Sequence, residues 1–213
     1  MFEGTPIVRH DAPDIYLFVI SLVTLGLLVC IRQGFLKEWR LADWIINNIN
    51  RIWQRGADEV PQAEGILVNH LCGIIALGTI AWFDWPIYIG ISVGAVVVIS
   101  KQIMFWILSL IPKISQLSNE HSIVDRLTRL WMSAGIGLLA LVFSLVPSPE
   151  NYNPLILFSA VWGWSVLFRW YRVFESANRR LNSIFYSFLY LCTLEILPVL
   201  AFIVLVKESK MWI

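Results

Sequence analysis

Residues 86–111 read PIYIGISVGAVVVISKQIMFWILSLI, an apolar run interrupted by one formal charge, Lys101. About 20 predominantly apolar residues suffice to cross a bilayer as a helix, so a run of this length predicts a membrane span. A second run, residues 184–206, reads IFYSFLYLCTLEILPVLAFIVLV, with Glu195 at its centre and Pro198 three residues later. An ionised acid at that depth costs on the order of 3 kcal/mol and needs a partner, a proton or a water path. Pro198 removes a backbone donor and predicts a kink.

Composition agrees with these two runs. The chain is 58% hydrophobic and 15% charged, with a mean hydropathy of +0.70; a soluble domain carries about 25% charge. The apolar residues come in blocks rather than at amphipathic spacing. Six spans follow, at about 15–31, 65–83, 86–111, 130–146, 154–174 and 184–206. The expected fold is all-α, a polytopic transmembrane helix bundle of about six spans forming one integral membrane domain over 1–213. The first 13 residues lack a basic stretch and a cleavage site, so no signal peptide is expected. Cys30, Cys72 and Cys192 all fall inside spans; their odd number and the absence of a CxxC pair favour apolar packing over disulfides or zinc.

Lysine and arginine set the expected topology. Arg32, Lys37, Arg40, Arg51 and Arg55 follow span one; Lys113, Arg126 and Arg129 follow span three; Arg169, Arg172, Arg179 and Arg180 close span five. Only Arg9, Lys207 and Lys210 fall on the other side. The positive-inside rule then puts the basic segments in the cytoplasm and both termini in the periplasm. Residues 35–55 recur as Phe35, Trp39, Ala42, Ile46, Ile49 and Trp53 at helical spacing, with Lys37, Glu38, Arg40 and Asp43 on the polar side. They predict an amphipathic helix between spans one and two, lying on the inner leaflet or docked on the bundle. Gly90 with Gly94, Ser133 with Gly137, and Ser159 with Gly163 give small-xxx-small spacing that favours close helix packing.

Candidate functional residues are few. Glu195 and Lys101 are the charges expected at depth, and a Lys101–Glu195 pair would offset much of each burial cost. Snorkelling of Lys101 and a protonated or hydrogen-bonded Glu195 are the alternatives. Asn69 and His70 suggest an interhelical hydrogen-bonding pair within span two. His10, His70 and His121 share no common depth, so no haem is expected, and no metal or other cofactor. No HExxH, phosphate loop, GxSxG or paired-acid motif occurs, so no catalytic residue is assigned. Arg169, Trp170, Arg172, Arg179 and Arg180, with Trp39 and Trp53, form a basic aromatic set suited to docking or to anionic lipid at the inner surface. The basic residues do not gather in one run, so nothing points to nucleic acid.

Residues 168–172 followed by 185–198, with Leu191-Cys192-Thr193-Leu194-Glu195-Ile196-Leu197-Pro198 at their core, resemble the C-terminal signature of an uncharacterised family of integral membrane proteins from Bacteroidota. The resemblance implies an inner-membrane protein of a Gram-negative bacterium and carries no activity with it. Two functions are therefore expected to compete: a non-catalytic accessory or scaffold subunit of a membrane assembly, met by lipids and other inner-membrane proteins or its own copies, and a small proton- or ion-coupled transporter using Glu195.

Overall fold

The computed structural model describes residues 12–47, 63–82, 86–112, 115–145 and 154–181, together with Cys192. Six helices fill the described residues: α1 (Ala12–Gly34), α2 (Leu36–Asn47), α3 (Ala63–Trp82), α4 (Ile87–Ser109), α5 (Ser115–Leu145) and α6 (Leu155–Leu181). The all-α bundle expected from the apolar blocks is what the chain forms. Four helices (α1, α3, α4 and α5) are long and apolar enough to cross a membrane. The fifth expected span is also a helix, α6, but Arg169 and Arg172 dilute its apolar character. Of the sixth, only Cys192 is among the described residues; Glu195 and Pro198 lie outside them.

Proline punctuates the bundle at the places its chemistry favours. Pro86 and Pro154 stand just before α4 and α6, where their fixed φ suits a helix start and no N–H is missed. The Pro86 carbonyl accepts from Ile89 and Gly90 N–H at 2.9 and 3.0 Å, and Pro154 from Leu157 and Phe158 at 3.0 and 3.2 Å. Pro112 follows the end of α4, because the residue preceding a proline is pushed out of the helical region. Within the helices, Ser21, Thr24, Thr79, Thr128, Ser133 and Ser165 each donate to a carbonyl three or four residues back. Their hydroxyls are thereby satisfied without leaving the helix.

The largest departure from the expected layout is α5. Residues 112–129 were expected as a charged cytoplasmic connection, with the fourth span beginning near Leu130. The helix instead begins at Ser115 and runs for 31 residues, about 46 Å. Its first half is too polar for a hydropathy-defined span yet fully helical in pattern: Leu117, Ser118, His121, Val124, Asp125, Thr128 and Met132 fall three or four apart and are all buried. α5 consequently touches each of the other five helices.

The amphipathic helix is present but shorter and differently rolled. α2 docks on the bundle rather than lying free, burying Leu41, Ala42 and Ile45 completely. Trp131 of α5 donates its Nε1–H to the Ala42 carbonyl at 2.7 Å. Ile46, expected on the apolar face, is exposed, while Glu38, expected on the polar face, is buried. The roll follows from a salt bridge described below. Residues 48–55, including Trp53, lie outside the described residues.

Helices α3 and α4 meet backbone to backbone. A Cβ on Gly94 would strike the Ile74 carbonyl oxygen and come within 3.0 Å of the Gly78 nitrogen; a Cβ on Gly78 would come within 3.0 Å of the Ile91 Cα. The Gly90–Gly94 pair therefore works inside the bundle, as small-residue spacing permits in lipid. Gly137 likewise packs on Thr24 of α1, whereas a Cβ on Gly163 would meet nothing within 4 Å. The outward faces are apolar: Ile91, Val96, Ile99, Ile103 and Trp106 along α4 are all exposed, a surface that water would penalise and lipid would not. Replacing Gly94 by alanine should cost about 1–3 kcal/mol through overpacking against backbone. Gly163→Ala should stay within about 0.5 kcal/mol of the parent. Thermal unfolding of both variants in mild detergent checks the contrast.

Candidate functional site: a buried charge cluster

Asp125 sits on α5 with no solvent exposure. Its Oδ1 accepts from Arg169 Nη1 of α6 at 2.8 Å and from Lys101 Nζ of α4 at 3.3 Å. Arg129, one turn further along α5, places Nη2 at 2.9 Å from Oδ2; that contact is an ion pair rather than a well-directed hydrogen bond. Arg129 also donates Nε–H to the Asp125 carbonyl oxygen at 3.4 Å. One carboxylate thus joins three cations from three helices. Each side chain is 8% exposed or less.

The depth of the cluster can be read from the helices. Lys101 and Arg169 each lie fourteen residues beyond the first residue of their helix, about 21 Å along it. For a hydrocarbon layer of about 30 Å, that is within the layer, nearer the end that carries α2 and the basic residues. Lone charges there are costly, whereas hydrogen-bonded pairs offset one another. Leu117, Val124, Leu127 and Phe105 pack around the same level and keep it dry. Ser118 Oγ donates to the Phe105 carbonyl at 2.9 Å, and the Phe105 and His121 rings meet edge-on at 4.8 Å, so α4 and α5 are joined one turn beyond the ions as well.

A second pair stands beside the first. Arg126 of α5 brings Nη2 to 3.2 Å from Glu38 Oε1 of α2, with both side chains buried. This pair rolls α2 so that Glu38 faces inward, and sequence periodicity alone gave no sign of it. Burial raises the Glu38 carboxyl above its ordinary value of 4.5, and the Arg126 charge lowers it in partial opposition. On α3, Gly65, Asn69 and Gly73 form one stripe. Cβ atoms on the two glycines would sit 3.1 Å from Glu38 Cγ and 3.1 Å from Arg129 Cδ. Asn69 lies between the two ion clusters on that stripe, fully buried.

The other expected site residues fall as follows. Lys101 is buried and bonded to Asp125 rather than snorkelling; Glu195 and Pro198 lie outside the described residues. Arg169, expected at the inner surface, is buried in the cluster. Asn69 and His70 were expected to form an interhelical hydrogen-bonding pair, yet both Asn69 amide atoms and His70 Nδ1 are buried with no hydrogen-bond partner among the described residues. At the glycine positions on either side of Asn69, the neighbouring side chains present carbon atoms, not polar heads. Trp170 is half-buried, and Arg172 lies over the Phe168 and Tyr171 rings at 5.1 and 5.6 Å. Trp39 meets Trp131 at 6.0 Å with Arg32 above it at 5.8 Å. Arg179 and Arg180 belong to α6, with side chains outside the described set. Among the described residues no three His, Cys, Asp or Glu side chains converge as metal ligands do.

Residues 5–206 match a single family model, described as Domain of unknown function (DUF4271). The chain belongs to that family. The match bears out the resemblance to an uncharacterised family, and it extends well beyond the C-terminal half that carried the resemblance. No curated protein and no solved structure matches the chain. The DUF4271 match brings no activity with it.

Two outcomes follow. Asp125→Asn leaves three cations around a neutral amide and should cost about 3–5 kcal/mol, the usual result of removing one partner of a buried ion pair; the folded yield and unfolding midpoint in detergent report it. The raised Glu38 value has the opposite sign from an ordinary paired acid. The folded chain holds this proton more tightly than the unfolded one, so its contribution to stability is present below 4.5 and is lost as pH rises through the raised value. Melting curves between pH 4 and 8 should show the stability of Glu38→Gln, minus that of the parent, rising with pH; a difference that falls with pH would contradict the burial of Glu38.

Proposed function

We propose that this DUF4271 protein is a non-catalytic accessory or scaffold subunit of an assembly in the bacterial inner membrane. One observation carries the reading: among the described residues, the charges at depth are engaged with one another, while the faces turned outward are broad and apolar. Asp125 joins α4, α5 and α6, and Arg126 joins α5 to α2. Groups held this way fix a shape, and the exposed Trp106, Trp164, Leu167 and Tyr171 offer that shape to lipid or to other helices. The helices long and apolar enough to cross a membrane support the location. The distribution of lysine and arginine supports a cytoplasmic basic end and periplasmic termini.

A second reading, a small proton- or ion-coupled transporter, takes its support from Asn69. Its amide oxygen and nitrogen are buried between two ion clusters and would suit a water or an ion on a path through the bundle. In that case Glu195→Gln abolishes a flux into proteoliposomes while leaving the fold intact.

The scaffold reading is tested by mild detergent extraction of the tagged protein at native expression. It predicts co-purification, in fixed ratio, with other integral membrane proteins. Recovery as a solitary monomer with no partner would overturn it.

A further inference from the structure

A groove of about 270 Å³ runs along the outer surface between α5 and α6, with Ile46 of α2 at its side. α6 contributes Val161, Trp164, Ser165 and Phe168, a stripe at three- and four-residue spacing, and Trp131 and Met132 of α5 face it. Ser165 gives its hydroxyl to the Trp162 carbonyl at 2.7 Å, and Thr128 gives its own to α5 carbonyls, so the lining presents almost no free polarity. The next position on the α6 stripe is Arg172. Its guanidinium lies over the Phe168 ring at 5.1 Å, its Nε is buried without a hydrogen-bond partner, and its Nη1 stands 3.9 Å from the Glu175 carboxylate. Apolar trough and cation are therefore continuous.

The dimensions select an occupant. From Val161 to Arg172 is eleven residues, about 16 Å along a helix. Half of a hydrocarbon core of about 30 Å is about 15 Å, the depth of one leaflet. Arg172 lies seventeen residues from the start of α6, about 26 Å along it, a few ångströms inside the basic-end edge of that core, a distance that a long arginine side chain spans to the headgroups. A planar guanidinium matches a phosphate, whose oxygens accept paired hydrogen bonds; with Nε buried, the terminal Nη groups are the donors left for one.

We propose that this groove is a binding site for an anionic phospholipid, with one acyl chain lying along Val161, Trp164 and Phe168 and the headgroup phosphate on Arg172. The proposal rests on the membrane placement above but not on the scaffold role. A bound lipid here covers the seam between α5 and α6 just outside the Asp125–Arg169 ion pair, shielding it from water at the headgroup boundary.

The test uses the full-length protein in phosphatidylcholine vesicles containing either brominated phosphatidylglycerol or brominated phosphatidylcholine with the same chains. Bromine quenches nearby indoles, and the Trp164 signal is the difference between the parent and Trp164→Phe. Phosphatidylglycerol should outcompete phosphatidylcholine at Trp164 by about fivefold, the factor that one basic side chain near an anionic surface supplies. Arg172→Gln should bring the ratio to about one while quenching by phosphatidylcholine persists. Should that variant fail to fold, Glu175→Gln serves instead: withdrawing the neighbouring carboxylate should raise the ratio above the parent's. A ratio of one in the parent, an unchanged ratio in Arg172→Gln, or a ratio that falls in Glu175→Gln would overturn the proposal. So would loss of all Trp164 quenching through a protein–protein contact over the groove.

Discussion

A carboxylate without solvent has to be matched where it stands, and Asp125 is matched from three helices at once. That constraint organises the bundle. Lys101 cannot leave α4, Arg169 cannot leave α6 and Arg129 cannot leave the next turn of α5 without stranding a charge in a dry interior. Apolar packing in lipid gives helices little preference for one register over another, because lipid tails solvate leucine as well as a neighbouring helix does. Ion pairs at depth do discriminate: sliding one helix past another by a turn, about 5.4 Å, breaks them. The cluster supplies register, and the close glycine contacts between α3 and α4 supply proximity.

The same logic explains α2. An amphipathic helix rich in tryptophan suits a leaflet surface, and nothing in its own spacing chooses between lipid and protein. Arg126, displayed one position after Asp125 on α5, makes that choice by drawing Glu38 inward. Leu41, Ala42 and Ile45 are then carried into the core, and the Trp131 indole caps the Ala42 carbonyl. α5 reaches α2 because it extends about 16 Å further than a hydrocarbon layer requires. Its long polar half is what lets one helix contact all the others.

Much of the architecture was legible in the sequence. The apolar blocks predicted the helices at α1, α3, α4 and α6 to within a few residues, except that α6 runs on to Leu181, and Gly90–Gly94 pointed to a tight helix contact. The site was less legible. Lys101 stood out because it interrupts an apolar run, but Asp125, Arg126 and Arg129 lie in a stretch whose mean polarity resembles a cytoplasmic loop, so they read as topology markers. The overlooked signal was the three- and four-residue spacing of Leu117, His121, Val124, Thr128 and Met132, which continues unbroken into the apolar half of α5. Glu38 offered no such signal, since its burial depends on a residue 88 positions away. Arg169 was misplaced at the surface for a related reason: an arginine near the end of an apolar run reads as an interfacial anchor unless its carboxylate partner is known.

Asp125 and its cations hold the helices in register. A double-mutant cycle on Asp125→Asn and Arg169→Gln, followed by reversible unfolding in mixed micelles, measures it most directly. A coupling of about 2 kcal/mol or more is expected, in the upper part of the range for residues in one ion network. A coupling below about 0.5 kcal/mol, with the two substitutions simply additive, would contradict it.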